Sequence, residues 1–233
     1  MRIAILEADV ALAAEMATAL EASGHSPHRL RTCAALVSTL KRDTFDLLVL
    51  DLNLPNMAAI DVLAGVREHV KSTAPVLFIT SRADAADIVR ALNLDTDDYV
   101  VKPIKLTEFQ ARIAALLQRR FPTQAADVQD FGDVRFEIAR KNVLLGSTAV
   151  VTTNKEFSLA LLLFQNLNRP LSRAYLLDKI WGIRTDLQTR TLDAHVSRIR
   201  TKLGLRPEAG YRLAPVYSYG YLLERFGAAP EGD

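Results

Sequence analysis

The stretch Leu47-Leu48-Val49-Leu50-Asp51 is a run of large apolar residues that ends in a carboxylate. Its length and composition predict a strand that is buried on both faces, as is typical of a parallel sheet covered by helices. Similar short apolar runs occur at Ile3–Leu6, Val76–Ile79 and Tyr99–Val101, and a weaker candidate strand lies near His28–Arg31. The first half of the chain therefore contains five candidate strands.

Amphipathic segments separate these runs. Helices are predicted over Val10–Ser23, Ala34–Arg42, Ala58–Val70, Ala85–Asn93 and Leu106–Arg119. Alternating strands and helices predict an α/β fold, a doubly wound five-stranded parallel sheet over residues 1–120. Ligands bind such folds at the carboxyl ends of the strands. Polar side chains follow the strand ends here, at Glu7, Asp51, Thr80 and Lys102.

The second half of the chain has a different pattern. Residues 121–130 lack a strong hydrophobic period and predict a linker, and residues 131–226 predict an α+β domain followed by a tail over 227–233. Short strands come first, at Asp133–Ile138, Asn142–Leu145 and Ala149–Val151. Helices follow at Lys155–Leu167, Arg173–Ile180 and Thr189–Leu203, and a closing hairpin is predicted from Tyr211–Leu213 and Val216–Leu223.

Composition excludes several classes of protein. Of the 233 residues 49% are hydrophobic and 24% charged, which is typical of a globular protein with a real core rather than a disordered chain. No apolar run reaches the roughly 18 residues that span a bilayer, and the N-terminal run meets Glu7 too soon for a secretory signal. The lone Cys33 cannot form an internal disulfide, which suits a reducing cytoplasm.

The polar residues at the predicted sheet edge have the chemistry of a phosphoryl acceptor. A carboxylate can accept a phosphoryl group when cations neutralise the oxygens that are transferred. Asp51 would be the nucleophile, Lys102 the side-chain cation, and Thr80 a hydroxyl that binds the new phosphoryl group. The chain has no glycine-rich phosphate loop, so nucleotide triphosphate chemistry is not indicated.

The helix Thr189–Leu203 has the pattern of a helix that reads DNA. Apolar residues form one core-facing stripe, Leu192, Val196, Ile199 and Leu203. The opposite face carries Thr191, Ala194, Arg198 and Thr201. A small residue such as Ala194 allows close approach to the major groove, and Arg198 is long enough to reach guanine. Flanking residues could bind phosphates, namely Arg190, His195, Arg200 and Lys202.

These motifs together resemble the OmpR/PhoB family of response regulators. In the first half the matching segments are Ile3–Glu7, Asp51–Met57, Leu77–Arg82 and Asp97–Pro103. In the second half they are Lys155–Phe157, Leu171–Arg173, Trp181–Gly182, Arg190–Arg200 and Gly220–Tyr221. The resemblance covers nearly the whole chain, and it implies a flavodoxin-like receiver domain followed by a winged helix-turn-helix domain that binds DNA.

The resemblance also implies roles for residues of the first domain. A sensor histidine kinase would phosphorylate Asp51 with the assistance of Mg²⁺, which Asp51, the Asn53 carbonyl and, through water, Glu7 would hold. Thr80 and Tyr99 would form the switch pair, and the Lys102–Pro103 bond would be cis. Where the family has a second acidic residue after Glu7, this chain has Ala8. Fewer carboxylates weaken magnesium binding, so a regulator that binds DNA independently of phosphorylation is the alternative.

The resemblance further implies partners. Charged residues of the receiver would pair across a two-fold homodimer, as Arg90 with Glu108, Asp98 with Arg112, and Asp97 with Arg119. In the second domain Arg173 would bind a phosphate of promoter DNA, and the loop Trp181–Gln188 would contact RNA polymerase. The family commonly has Arg-Gly in the wing, where this chain has Tyr217-Ser218, so a different wing contact is expected.

Two rival functions make different predictions. A flavodoxin-like enzyme or flavin carrier needs a phosphate-binding loop after the first strand, where this chain has Glu7-Ala8-Asp9. A protein-interaction adaptor would turn its basic helix to solvent, and salt-dependent DNA binding would distinguish it from a regulator. We therefore expect a regulator that is not an enzyme beyond its own phosphorylation and dephosphorylation.

Overall fold

A computed structural model describes residues 1–53, 73–81, 97–121, 127–182 and 189–226. The chain divides into two compact units, Met1–Phe121 and Pro122–Asp233. The helices predicted over residues 58–70 and 85–93 and the tail over residues 227–233 lie outside the described residues. Within the described ranges, no helix combines the length and apolarity that crossing a membrane requires.

The first unit is built on a five-stranded sheet. Its strands are β1 (Arg2–Leu6), β2 (Ser26–Leu30), β3 (Leu47–Asp51), β4 (Val76–Thr80) and β5 (Asp98–Val101). All neighbouring pairs are parallel, and the order is β2-β1-β3-β4-β5. The doubly wound fold is thus confirmed. Strands β1, β3 and β4 are buried along their whole length, which explains their near-continuous apolar sequences.

Helices cover both faces of this sheet. Helices α1 (Val10–Ala22) and α3 (Leu106–Arg120) pack on one face, where they meet Leu47 and Val49 of β3. Helix α2 (Cys33–Leu40) packs on the other face, against Leu48 and Leu50. Because successive side chains of a strand point to opposite faces, one apolar run supplies both cores.

In its described residues, the second unit combines two antiparallel sheets with three α-helices. Strands β6 (Val128–Phe131), β7 (Val134–Glu137), β8 (Asn142–Leu145) and β9 (Thr148–Val150) form a meander in that order. The helices are α4 (Asn154–Phe164), α5 (Arg173–Trp181) and α6 (Thr189–Lys202). Strands β10 (Leu171–Ser172), β12 (Gly220–Arg225) and β11 (Tyr211–Val216) form the second sheet. This arrangement confirms the predicted winged-helix α+β class.

Among the predicted boundaries of this unit that differ from the structure, the linker and the closing hairpin have a clear physical reason. The linker predicted over residues 121–130 overlaps β6, which pairs with β7. Its inward face combines Phe131 with the buried Gln129, which accepts a hydrogen bond from Gln165, so the strand lacks an apolar alternation. The strand predicted from residue 216 begins only at Gly220, because residues 217–219 form the hairpin turn with Ser218 at φ 53°.

One hydrophobic core holds the second unit together. Phe136, Phe157 and Phe164 form its aromatic centre, with ring centroids 5.3 to 5.7 Å apart between Phe136 and the other two. The apolar stripe of α6 packs into this core, and all four of its predicted residues are buried. The predicted orientation of α6 is therefore confirmed: its other face points away from the core.

Candidate functional site

A cluster of charged side chains lies at the carboxyl edge of the five-stranded sheet. Strand β1 has β2 on one side and β3 on the other. The strand order therefore reverses at β1: the chain first adds β2 on one side of it and then continues with β3 on the other side. Glu7 follows β1 and Asp51 ends β3, which places both buried carboxylates at this switch point. The Nζ atom of Lys102 lies 2.8 Å from Glu7 Oε2 and 2.9 Å from Asp51 Oδ2. Three residues far apart in sequence thus form one site.

Lys102 is a permanent cation in this cluster. Burial lowers the pKa of Lys102, whereas the hydrogen bonds and charges of Glu7 and Asp51 raise it by more, so its pKa lies above the ordinary value. The ammonium group therefore stays protonated at neutral pH and neutralises one of the two carboxylates. The predicted cis bond between Lys102 and Pro103 is confirmed.

Backbone and amide groups hold Asp51 and its neighbours in place. Asp51 Oδ1 accepts a hydrogen bond of 2.9 Å from the backbone N–H of Asn53. The side-chain oxygen of Asn53 accepts bonds from the backbone N–H and the hydroxyl of Ser81, at 2.7 and 2.9 Å. Ser81 was not among the predicted site residues, although its position directly after β4 was a signal for it.

The predicted switch residues lie on the α2 side of the sheet. Thr80 is buried at the end of β4, and its hydroxyl lies 3.5 Å from the Asn53 side-chain oxygen. Tyr99 is half-buried beside Phe78, its register partner in β4, and packs against the core of that face. Thr80 thus lies beside Asn53, whereas Tyr99 lies in the next strand of the sheet, and their role as a switch pair stays a prediction.

Few of the described side chains near Asp51 have the chemistry of metal ligands. In the ranges that the structure covers, no three His, Cys, Asp or Glu side chains are grouped as metal ligands. Magnesium is commonly held by one or two carboxylates, with carbonyl, phosphate and water oxygens completing six ligands. Asp51, Glu7 and the Asn53 carbonyl fit this chemistry. Residue 8 adds no side-chain oxygen as a ligand, because it is the half-buried Ala8.

Asp9 is engaged in the backbone of α1. Its Oδ1 atom accepts hydrogen bonds from the backbone N–H groups of Ala11 and Leu12, at 2.8 and 3.2 Å. This geometry makes Asp9 the N-cap of α1. The backbone N–H of Asp9 in turn donates to Glu7 Oε1 over 2.9 Å. The helix start therefore orients the carboxylate beside Lys102.

Most of the predicted dimer residues that the structure describes are engaged within the chain. Arg112 binds both carboxylate oxygens of Asp98, at 2.8 and 3.0 Å, and also Glu108. The carboxylate of Asp97 accepts a 2.8 Å hydrogen bond from the backbone N–H of Val76. Arg119 is exposed on α3, whereas Arg90 lies outside the described residues. The pair Asp98–Arg112 therefore exists in the single chain.

The exposed face of α6 carries the residues predicted to read DNA. Ala194, Arg198 and Thr201 are exposed, as is Arg190 near the start of the helix. Thr191 and His195 are half-buried on its flank. Ser197 is exposed on the same face and was missed, since polarity alone did not distinguish it from an ordinary surface serine.

Two of the predicted phosphate contacts have partners inside the domain. Lys202 Nζ lies 2.7 Å from the carboxylate of Glu156, which is buried at the start of α4. Burial raises the pKa of Glu156, but the bonds from Lys202 and Thr153 lower it by more. Arg200 donates a 3.0 Å hydrogen bond to the carbonyl of Leu213 in β11. These residues have a structural role that the sequence did not indicate.

The start of α5, helix α6 and strand β12 meet at a polar cluster. Arg173 Nη2 lies 2.7 Å from Asp193 Oδ1, and the Tyr221 hydroxyl donates to the same oxygen over 2.5 Å. Arg173, predicted to bind phosphate, is thus held by an acid of α6. The wing turn beside this cluster exposes 96% of Tyr217.

His195 and Trp181 form a second contact beside α6. The His195 Nδ1 atom lies 2.8 Å from the carbonyl of Thr191, and its ring packs edge-on against Trp181 with centroids 5.1 Å apart. The Nζ atom of Lys155 lies over the Trp181 ring, 5.9 Å from its centroid. The interaction with Thr191 fixes the orientation of the imidazole on the flank of the exposed face.

Comparisons with known proteins agree with both halves of this picture. Residues 3–114 match the family model of the response regulator receiver domain. Residues 147–223 match the model described as transcriptional regulatory protein, C terminal.

Full-length relatives extend the match across the chain. The sensory transduction protein RegX3 of Mycolicibacterium smegmatis is 34% identical over 94% of this chain and 97% of its own length. The response regulator protein PmrA of Pseudomonas aeruginosa is 35% identical over 88% and 91%. The transcriptional regulatory protein BasR of Escherichia coli is 32% identical over 96% and 97%. The chain therefore belongs to the OmpR/PhoB family of two-component response regulators, in which a receiver domain is joined to a DNA-binding domain that regulates transcription.

Proposed function

We propose that Asp51 is the phosphoryl acceptor through which this transcriptional regulator is switched. The observation that carries the proposal is the position of its carboxylate at the switch point of the sheet, 2.9 Å from the Lys102 ammonium. An Asp51 oxygen would form a bond to the phosphorus of a kinase phosphohistidine while the bond from phosphorus to the histidine nitrogen breaks. Lys102 would neutralise a phosphoryl oxygen during this transfer and in the product.

Magnesium would assist this step. The residues that would hold it are Asp51, the Asn53 carbonyl and, through water, Glu7, and the bound ion would supply a further positive charge for the phosphoryl oxygens. Glu7 and Asp51 already share Lys102, so the cluster carries a net charge of only about −1 before a metal binds. A weak magnesium site follows from so small a charge.

A carboxylate at position 8 is expected to tighten magnesium binding. In the variant Ala8→Asp the affinity should rise about tenfold or more, because affinity depends on the charge and number of oxygen ligands. Isothermal titration of the full chain with magnesium chloride measures this. Ala8→Asn is the matched control, since it adds a similar volume without charge. Equal affinity of Ala8→Asp and wild type would contradict the view that residue 8 limits the site.

For the DNA-binding domain we propose that α6 enters the major groove with Ala194, Ser197, Arg198 and Thr201 facing the bases. Their common exposure on one face, opposite the buried stripe, supports this arrangement. Arg198 is exposed on this face, so its guanidinium is accessible to a base. Arg190, His195 and Arg173 would bind backbone phosphates and set the register. Thr191 would lie beside them at the edge of the groove.

Replacing Arg198 with alanine should reduce sequence discrimination by about 1–3 kcal/mol. The test measures binding to two DNA duplexes. One is selected from a random pool with the wild-type protein, and the other is a scrambled version of it. The ratio of the two affinities is the measure of discrimination. Arg206→Ala, which removes the same charge beyond the end of α6, serves as the control. An unchanged ratio for Arg198→Ala would refute its role as a base contact.

Phosphorylation would act by favouring a homodimer of receivers. The Asp98–Arg112 pair within the chain would exchange for the same pair across a two-fold axis, so that no ion pair is lost on association. Glu108 with Arg90 and Asp97 with Arg119 would complete the interface. Two tethered DNA-binding domains would then bind adjacent half-sites at a raised effective concentration.

The remaining partners follow from this role. A sensor histidine kinase would donate the phosphoryl group, and RNA polymerase would contact the loop over residues 181–188. Since promoter DNA is the partner of α6, we place the protein in the cytoplasm, which also suits its single cysteine.

A further inference from the structure

Asp193 is an unexpected residue on the face of α6 that approaches DNA. Its side chain is 48% exposed, yet a carboxylate near phosphates repels them. Burial raises the pKa of the Asp193 carboxyl, but the hydrogen bonds from Tyr221 and Arg173 lower it by more, so the group is ionised at neutral pH. An acid that opposes DNA binding by its charge calls for a second role.

Its contacts join three elements. Asp193 Oδ1 accepts hydrogen bonds from Arg173 at the start of α5 and from the hydroxyl of Tyr221 in β12. The Arg173 guanidinium also lies over the Tyr221 ring, 5.8 Å from its centroid. The backbone adds a further connection, because the Arg173 N–H donates to the Tyr219 carbonyl over 2.9 Å. The groove-facing helix, the wing and a cationic side chain are thus fastened at one oxygen atom.

We propose that Asp193 is a positioning residue for DNA binding. It holds the Arg173 guanidinium in place for a phosphate and fixes the wing strand to α6 through Tyr221. A guanidinium has five N–H donors, so one that binds Asp193 can bind a phosphate at the same time. Because Arg173 is oriented before DNA arrives, less side-chain freedom is lost on binding. The inference rests on the proposed phosphate contact of Arg173.

The variant Asp193→Asn separates positioning from charge. Loss of a negative charge alone would tighten binding to both the selected and the scrambled duplex. Loss of positioning should instead weaken binding of the full chain to the selected duplex by about tenfold. The slope of log K against log salt concentration should also become shallower by about 0.9, the value of one phosphate contact on duplex DNA. A merely structural role would not change this slope.

Two further variants complete the test. Tyr221→Phe removes the hydroxyl without changing charge and should weaken binding to the selected duplex by a smaller factor. Glu208→Gln removes an exposed acid outside the cluster and should leave the affinity within about twofold of wild type. Fluorescence of Trp181, the single tryptophan, establishes that each variant is folded.

The results distinguish this inference from the proposed function. If Asp193→Asn binds both duplexes as tightly as wild type, or more tightly, with an unchanged slope, the positioning role is overturned. If Arg173→Ala also leaves the salt slope unchanged, the phosphate contact itself is wrong. A shallower slope in Arg173→Ala but not in Asp193→Asn would retain the phosphate contact and reject only the positioning role.

Discussion

Replacing Asp51 with asparagine is expected to abolish phosphorylation of the full chain by a small-molecule donor such as acetyl phosphate in magnesium. In the proposed reaction the carboxylate oxygen would be the nucleophile, and an amide has no comparable anionic oxygen to attack phosphorus. Lys102 would remain beside Glu7 in the variant, so the surrounding site keeps its cation. Intact-mass spectrometry should detect one added phosphoryl group on wild type and none on Asp51→Asn. Phosphorylated wild type should also form more dimer in sedimentation experiments.

Asp9→Asn is the matched control for this experiment. It makes the same change of charge three residues from the end of β1, and asparagine caps a helix about as well as aspartate. The control should be phosphorylated like wild type, because the Asp9 carboxylate is used by the backbone of α1. If Asp51→Asn is still phosphorylated, another residue is the acceptor. Identical dimerisation and DNA binding of treated wild type and Asp51→Asn would indicate a regulator that acts without phosphorylation.

A second large effect is expected from Gly220→Ala. A Cβ atom at Gly220 would lie 2.0 Å from the backbone oxygen of Leu171 and 2.9 Å from the backbone nitrogen of Arg173. Both neighbours are main-chain atoms of β10 and the start of α5, so neither can rotate away as a side chain would. The strand pair β10–β12 must separate, which should lower the free energy of unfolding of the second unit by about 3 kcal/mol or more.

Urea denaturation followed by Trp181 fluorescence measures this loss, because the only tryptophan lies in the second unit. Gly146→Ala is the matched control: it makes the same substitution where an added Cβ meets nothing within 4 Å. Its φ of 59° gives the alanine a left-handed backbone, which costs about 1–2 kcal/mol. If Gly220→Ala lowers the free energy of unfolding by no more than Gly146→Ala does, β10 and β12 separate easily.

The receiver half was predictable because its chemistry lies at strand ends. Buried parallel strands have continuous apolar sequences, and the first polar residue after each strand necessarily reaches the same edge of the sheet. Glu7, Asp51 and Lys102 could therefore be assigned to one site from their positions alone. The hydrogen bonds between Asn53 and Ser81 could not be predicted in this way, because an amide at position 53 has many possible partners at the carboxyl edge of the sheet.

In the DNA-binding half the helical period determined which face of α6 is buried. It indicated Leu192, Val196, Ile199 and Leu203 as core, and it placed Arg198 on the open face, because a period of 3.6 residues reports burial directly. Turn and strand positions with weak patterns were less predictable. Strand β6 was missed because the most buried residue of its inward face is the polar Gln129.

Only the tertiary structure decided which charges of α6 have a partner within the domain and which extend into solvent. Lys202 and Arg198 look alike in sequence, yet Lys202 pairs with Glu156, 46 residues away, while Arg198 is exposed. Asp193 meets Arg173 and Tyr221 because α5 and β12 converge on it. A sequence pattern specifies the face on which a side chain lies. Its partner depends on which other elements the packing brings to that face, and that is a property of the folded chain.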